Sequence, residues 1–245
     1  MTTVKKRIDE LLVVKGLSDS REKAKRLVMA GQVYIDEKQV QKPAEQVDSE
    51  ANVWVKEPFP YVSRGALKLE KAYHEFNLDF KDKVICDIGA STGGFTDFAL
   101  QNGAKKVYAI DVGYGQLAHK LRQEQRVINM ERTHFLDVQS LPENIDVFVC
   151  DVSFISLKKI IPQIKLIAQD QVRKADVICL VKPQFEVGKQ IADKFKGVIT
   201  DQKIRTDALI DIVNLTRSQG FEILGQTESP IEGAKGNKEF LIYFK

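Results

Sequence analysis

Five short apolar runs recur along the chain at 84–86, 107–110, 127–129, 147–150 and 177–181, and a sixth spans 240–244. Runs this short and continuous mark strands buried on both faces, and the helix-length stretches between them, such as 96–101 and 204–215, predict a largely parallel α/β sheet covered by helices. The front of the chain follows another rhythm. Ile8, Leu11 and Leu12 recur at helical spacing and stop near Gly16, while Asp19 with Glu22 three positions on has the spacing of a capping box opening a second helix. In that helix Ala24, Leu27 and Val28 form the inward stripe, which leaves Arg21, Lys25 and Arg26 on other faces. Gly31 ends it, and Val33-Tyr34-Ile35 begins a strand that turns at Asp36-Glu37-Lys38. Glu57-Pro58-Phe59-Pro60 breaks both rhythms, so a small αα-plus-strands domain at 1–60 is expected before a larger α/β domain at 61–245.

With 245 residues and 43% hydrophobic composition the chain can bury a sizeable core in each domain. No stretch approaches the roughly 20 apolar residues needed to cross a bilayer, and the charged front lacks the apolar core of a signal peptide, so a cytoplasmic protein is expected. Cys86, Cys150 and Cys179 each sit inside an apolar run and read as packing residues; His74, His119 and His134 share no ligand spacing, so no metal site is predicted. The net charge is only +3, but residues 1–26 hold eight Lys/Arg against four acids. That concentration is either a solvated basic face or a phosphate-binding one.

The first chemistry lies in the turn Asp87-Ile88-Gly89-Ala90-Ser91-Thr92-Gly93-Gly94-Phe95, which joins a buried strand to a helix from Thr96, the first crossover of a doubly wound sheet. Its glycines let backbone approach a ligand, and Asp111, about 20 residues on at the end of the next strand, is placed to accept hydrogen bonds from ribose hydroxyls. Val112 and the Gly113-Tyr114-Gly115 segment would wall the pocket. Ala90 and Ser91 after the first glycine break the dinucleotide pattern, and Asp87 would repel a diphosphate while suiting the amino and sulfonium groups of S-adenosylmethionine. The ligand expected is that methyl donor, held by Asp87, the 89–96 turn, Asp111 and Val112. Asp137 is a candidate for the adenine amino group, with a turn or cap role as the alternative.

Lys182, in Leu180-Val181-Lys182-Pro183, ends the fifth run, and Asp151, in Asp151-Val152-Ser153-Phe154, ends the fourth. Burial lowers the proton affinity of an amine, so Lys182 is expected to reach a neutral, proton-accepting form; a salt-bridged lysine at a strand edge is the alternative. The two residues emerge on neighbouring strands and are expected to touch. Enzymes that methylate exocyclic amines usually carry Asn/Asp-Pro-Pro-aromatic where this chain has Asp-Val-Ser-Phe, which argues against an amine target.

The front motifs 7–12, 16–24 and 31–36 resemble the RNA-binding domain named after small-subunit ribosomal protein S-four, which implies contacts to structured RNA by shape and phosphate through Arg7, Arg21, Lys25 and Arg26, with Arg64 beside them. Residues 61–245 resemble the FtsJ-like ribose methyltransferases, a Rossmann-like fold with a mostly parallel seven-stranded sheet. Their Lys-Asp-Lys-Glu tetrad falls on Lys68, Asp151, Lys182 and Glu239. The combination, with Gly-Ala-Ser-Thr-Gly-Gly-Phe-Thr and Leu-Val-Lys-Pro-Gln-Phe-Glu, is similar to the TlyA, haemolysin A-like, ribosomal RNA methyltransferases.

That resemblance implies 2′-O-methylation of cytidine ribose in ribosomal RNA on a ribosomal subunit, with no membrane partner and no metal. Lys182 would take the proton, its form kept neutral in part by a second lysine nearby, while Asp151 orients it and Lys68 and Glu239 position substrate and balance charge. Because the chain stops just after its last strand, the large-subunit RNA is the favoured target and the small-subunit RNA the other. Rival readings are a membrane-active haemolysin and a non-catalytic RNA-binding or ribosome-assembly protein; the 204–215 stretch lacks the basic and aromatic face of an interfacial helix. Lys189, Lys194, Lys196 and Lys235 fall in loops after strands, where together they would extend an RNA surface and singly read as solvated. Oligomeric state is not encoded in any legible pattern.

Overall fold

The computed structural model describes residues 4–57, 59–168 and 174–245, and the chain divides into two compact units, Met1–Pro60 and Tyr61–Lys245. In the first, β1 (Lys5–Arg7) leads into α1 (Ile8–Val14), α2 (Arg21–Met29), β2 (Val33–Ile35), β3 (Lys38–Gln39), β4 (Gln46–Asp48) and β5 (Val53–Val55). β1 pairs with β4, and β2 lies between β3 and β5, all antiparallel. The inward stripes of both helices meet Val33, Val40, Val47 and Val53 in one small core.

The start of α2 departs from the expected capping box. Ser20 holds the capping position, with an extended backbone (φ −157, ψ 157) and an Oγ that accepts from Lys23 N at 3.3 Å. Asp19 and Glu22 are drawn instead into exposed ion pairs with Lys23 and Lys25. Beneath them Asp9, with no solvent exposure, accepts from Arg7 Nε and Nη2 at 3.0 and 2.9 Å and from Arg21 Nη2 at 3.4 Å. Two predicted RNA-contacting arginines are therefore anchored to one buried carboxylate.

The second unit runs α3 (Ala66–Glu75), β6 (Val84–Ile88), α4 (Gly94–Gln101), β7 (Lys106–Ile110), α5 (His119–Arg122), β8 (Val127–Met130), β9 (Val147–Cys150), α6 (Leu157–Ala168) and β10 (Asp176–Val181). It continues through α7 (Pro183–Glu186), α8 (Lys189–Lys194), α9 (Gln202–Ser218), β11 (Ile223–Glu228) and β12 (Phe240–Phe244). These strands form one seven-stranded sheet in the order β11-β12-β10-β9-β6-β7-β8, parallel from β10 to β8, with β12 antiparallel to both neighbours.

Every residue of β6 and β9 is buried, as the unbroken apolar runs require of strands covered on both faces. Cys86, Cys150 and Cys179 are all fully buried in this core. α9 covers the sheet with Ala208, Ile212, Val213 and Thr216 buried. Among the described residues no helix is long and apolar enough to cross a membrane.

One expected outcome concerns the first unit. Hydrogen bonds from Arg7 hold the Asp9 carboxyl below its ordinary value against the opposing effect of burial. Its stabilisation is therefore present above about pH 4 and lost as pH falls through the lowered value. Asp9→Ala is expected to destabilise this unit by about 1–3 kcal/mol, the arginines being free to re-solvate. Thermal melts followed by fluorescence of Trp54, the single tryptophan, will check it, and an unchanged melt would remove the anchor.

Candidate active site

The site is assembled at the carboxyl edge of the parallel strands, where backbone amides and side chains of several elements meet. In the sheet register Cys150 lies beside Cys179, and Val181 lies opposite Phe240. Asp151 and Lys182 thus follow neighbouring strands, and the antiparallel β12 delivers Glu239 to the same edge. Lys68 arrives from α3, whose start is pressed against that of α4: a Cβ on Gly94 would stand 2.9 Å from Ala66 N. Only a glycine permits that approach.

All four side chains are in contact. Lys182 Nζ lies 2.6 Å from Asp151 Oδ1, an ion pair outside hydrogen-bond angles, and donates to Ser153 Oγ at 2.9 Å. Lys68 Nζ donates to Asp151 Oδ2 at 3.2 Å and to Glu239 Oε2 at 2.9 Å. Charges alternate Lys182, Asp151, Lys68, Glu239. Burial opposes the charge on Lys68, but Asp151 and Glu239 outweigh it and raise its proton affinity. Burial would likewise raise the Asp151 carboxyl, yet the two lysines hold it below the ordinary carboxylate range. The expected mutual depression of the two lysines is thus corrected for Lys68: interleaved carboxylates screen one ammonium from the other.

Two adjoining cavities of about 320 and 450 Å³ open here and share Gly89, Ser91, Asp151, Ser153 and Phe154. The first is lined by the tetrad, Asp87 and residues of the 89–95 turn; the second by Asp111, Val112, Gln116, His134 and Phe135. Gly89 is left-handed (φ +83), and a Cβ there would meet Asp151 O at 2.8 Å, so the turn and the β9 end close together only around a glycine. Asp111 takes Ser91 N at 2.8 Å and Gly113 N at 2.7 Å, tying the turn to the end of β7.

Residues 61–245 match the model of the FtsJ-like methyltransferases, and residues 6–53 match that of the S4 domain. The chain belongs to the FtsJ-like methyltransferase family. This FtsJ-like chain is 39% identical over 244 residues to the 16S/23S rRNA (cytidine-2′-O)-methyltransferase TlyA of Mycobacterium tuberculosis, covering 98% of this chain and 89% of the relative. It is 40% identical to hemolysin A of Brachyspira hyodysenteriae, over 97% and 99% of the two chains. A solved chain from Streptococcus thermophilus, 43% identical, superposes with a TM-score of 0.73 over 99% of this chain and 89% of that one.

Family membership implies S-adenosylmethionine as methyl donor, and the residues present fit its charge. Asp87 is buried; Thr96 Oγ1 donates to its Oδ2 at 2.6 Å, while Oδ1 has no partner. An orphaned carboxylate oxygen beside the turn suits a cationic group. Gly89, Ala90, Ser91, Thr92, Gly94 and Phe95 line the first cavity; Gly93 begins α4 behind it, packed toward Leu117 and Leu121.

Asp137 is not brought to either cavity. It is exposed at the end of a 3₁₀ turn, Phe135–Asp137, that directs Phe135 inward and leaves His134 and Phe135 at the wall. Likewise Val112 and Gln116, rather than the 113–115 segment, line the second cavity. Ser153 is a contact that motif reading missed, though it stands two residues beyond Asp151 in a motif already singled out. Phe154, 92% exposed at a left-handed φ of 64, and Phe185, 5.2 Å away, flank the first cavity. Of the RNA candidates, Arg7, Arg21 and Lys25 are ion-paired, whereas Arg26 and Arg64 are exposed with no carboxylate partner among the described residues.

Burial raises the Asp87 carboxyl to about 7. Folded protein therefore retains a proton that the unfolded chain loses near 3.8, so this residue's contribution to stability falls as pH rises from about 4 to 7 and is level above. A cation on Asp87 reverses the preference. Affinity for S-adenosylmethionine is expected to strengthen as pH rises through about 7, and Asp87→Asn to weaken binding and flatten that profile in isothermal titration. A wild-type profile level from pH 6 to 8 would refute the contact.

Proposed function

We propose that this protein transfers a methyl group from S-adenosylmethionine to the 2′-hydroxyl of a cytidine ribose in ribosomal RNA. The observation that carries the reading is the unbroken Lys182–Asp151–Lys68–Glu239 chain of charge contacts beside a cavity whose buried Asp87 oxygen suits a cation. The resemblance of Lys68, Asp151, Lys182 and Glu239 to the family's tetrad supports the reading, and the TlyA relative is named for this reaction.

When bound, S-adenosylmethionine supplies a methyl carbon already activated by its sulfonium. The protein's task is alignment and removal of a proton, because a ribose hydroxyl is a poor nucleophile. Lys182 rests as an ammonium against Asp151; once that proton has been released to solvent, its Nζ lone pair accepts the hydroxyl proton. Asp151 and Ser153 fix the direction of that nitrogen. Lys68, held charged between two carboxylates, keeps Asp151 ionised and in place, and Glu239 balances it. Asp111 remains at the second cavity to accept from ribose hydroxyls of the donor, with Val112 along it. Phe154 and Phe185 offer an aromatic wall to the nucleobase. Arg26 and Arg64 supply free cations for RNA phosphates, and Arg7, Arg21 and Lys25 present the outer edges of their paired groups. Direct membrane lysis is disfavoured because the apolar side of α9 is already buried on the sheet.

Purified protein is expected to place 2′-O-methylcytidine in RNA of ribosomal subunits from cells lacking the gene, read by mass mapping of both subunit RNAs. Lys182→Ala should lower kcat by at least about a hundredfold, the usual worth of a positioned base, with unchanged affinity for the methyl donor. Near-normal turnover by that variant would exclude Lys182 as base, and absence of methylated cytidine with wild-type protein would overturn the reading.

A further inference from the structure

Asn237 is 3% exposed and uses its whole amide to join two loops. Its Oδ1 accepts from Ile199 N at 3.0 Å, while Nδ2 donates to Gly197 O at 2.9 Å and Ala234 O at 3.1 Å. Each of those carbonyls adjoins a lysine in the left-handed region: Lys196 (φ 51) precedes Gly197, and Lys235 (φ 59) follows Ala234. Such a conformation disfavours residues with a Cβ, and glycine, asparagine or aspartate is the usual occupant. Both lysines are exposed and neither has a carboxylate partner among the described residues. The staple is joined to the cleft, since Gly233 and Ala234 line the first cavity and Glu239 lies two residues beyond Asn237.

We propose that Lys196 and Lys235, stapled together by Asn237, form a phosphate-binding rim that grips the RNA backbone next to the nucleotide in the cleft. This rests on the proposed function and adds a substrate contact to it. Three observations carry it together. Strained backbone at two unpaired cations persists where the side chain is needed outside the fold. A fully satisfied buried amide holds both loops in one arrangement. And the only sign of charge these two positions offer is positive, beside a substrate whose backbone is negative at every residue. In the proposed reaction the RNA backbone is the anion brought next to the cleft, so it is the partner these two cations would meet.

Glycine suits both positions, so Lys196→Gly/Lys235→Gly removes the charges without disturbing the staple. Methyl transfer to ribosomal subunits and filter binding of the same RNA are measured at several salt concentrations. The double variant is expected to raise KM for RNA about tenfold with kcat within twofold. The dependence of log affinity on log salt should become shallower by about two counterions. Donor affinity should be unchanged and the melting temperature equal or higher. As a control, Lys105→Gln, an exposed charge at the opposite, amino-terminal end of the strands, should leave KM as in wild type. Wild-type KM and salt dependence in the double variant would overturn the rim, as would an equal change in the control. Filter binding reads the rim even if wild-type protein transfers no methyl group, an outcome that would count against the proposed function alone.

Discussion

Two lysines and two carboxylates cannot be withdrawn from water at the edge of an apolar sheet unless each charge lies against its opposite, because an unpaired buried ion costs several kcal/mol. The order Lys182, Asp151, Lys68, Glu239 meets that condition. Three contacts serve four groups, with Asp151 and Lys68 each shared between two partners. The arrangement ties the ends of β9 and β10 and the start of β12 to α3, so the candidate site is also a junction of the architecture. Ser153 completes it by accepting from Lys182, which gives the terminal amine a direction as well as a charge partner.

Asp87 stands apart from that balance. It is buried like the others but has no cation beside it, only Thr96 on one oxygen. The same physical rule that stabilises the tetrad is not met within the protein at Asp87, and the two ends of the cleft differ in kind: one internally neutralised, the other suited to positive charge. Under the proposed function, that contrast assigns proton transfer to one end and the cationic donor to the other.

In the smaller unit the basic residues are not simply free positive charge. Asp9 gathers Arg7 and Arg21 at the junction of α1 and α2, and Glu22 engages Lys25, so local count overstates the cations available to a polyanion. Of the RNA candidates in that unit, Arg26 keeps no carboxylate partner among the described residues, as does Arg64 in the larger unit. Charge counted along a chain is an upper limit on charge presented by the fold.

The apolar runs of β6, β7, β9 and β10 were legible because strands buried on both faces must be continuously apolar, and the turn after β6 was legible because backbone approach to a ligand demands glycine. Lys182 and Asp151 followed from those runs, since residues ending adjacent parallel strands share an edge. Capping at Ser20 was not legible, because Asp19 and Ser20 offer the same chemistry and only the backbone dihedral chooses between them. Nor was the outward turn of Asp137, which depends on Phe135 winning the buried position.

Sequence by itself therefore determined the elements, the glycine turn and the residue types of the site, all of which express local preference and periodic burial. Family resemblance named Lys68 and Glu239, but no periodicity pointed to them: tertiary structure brings Lys68 of α3 onto both Asp151, 83 residues on, and Glu239, just before β12. It also decided that Asn237 staples two distant loops. Contacts between segments so far apart are set by strand register and by helix packing at Gly94, and neither leaves a periodic trace along the chain.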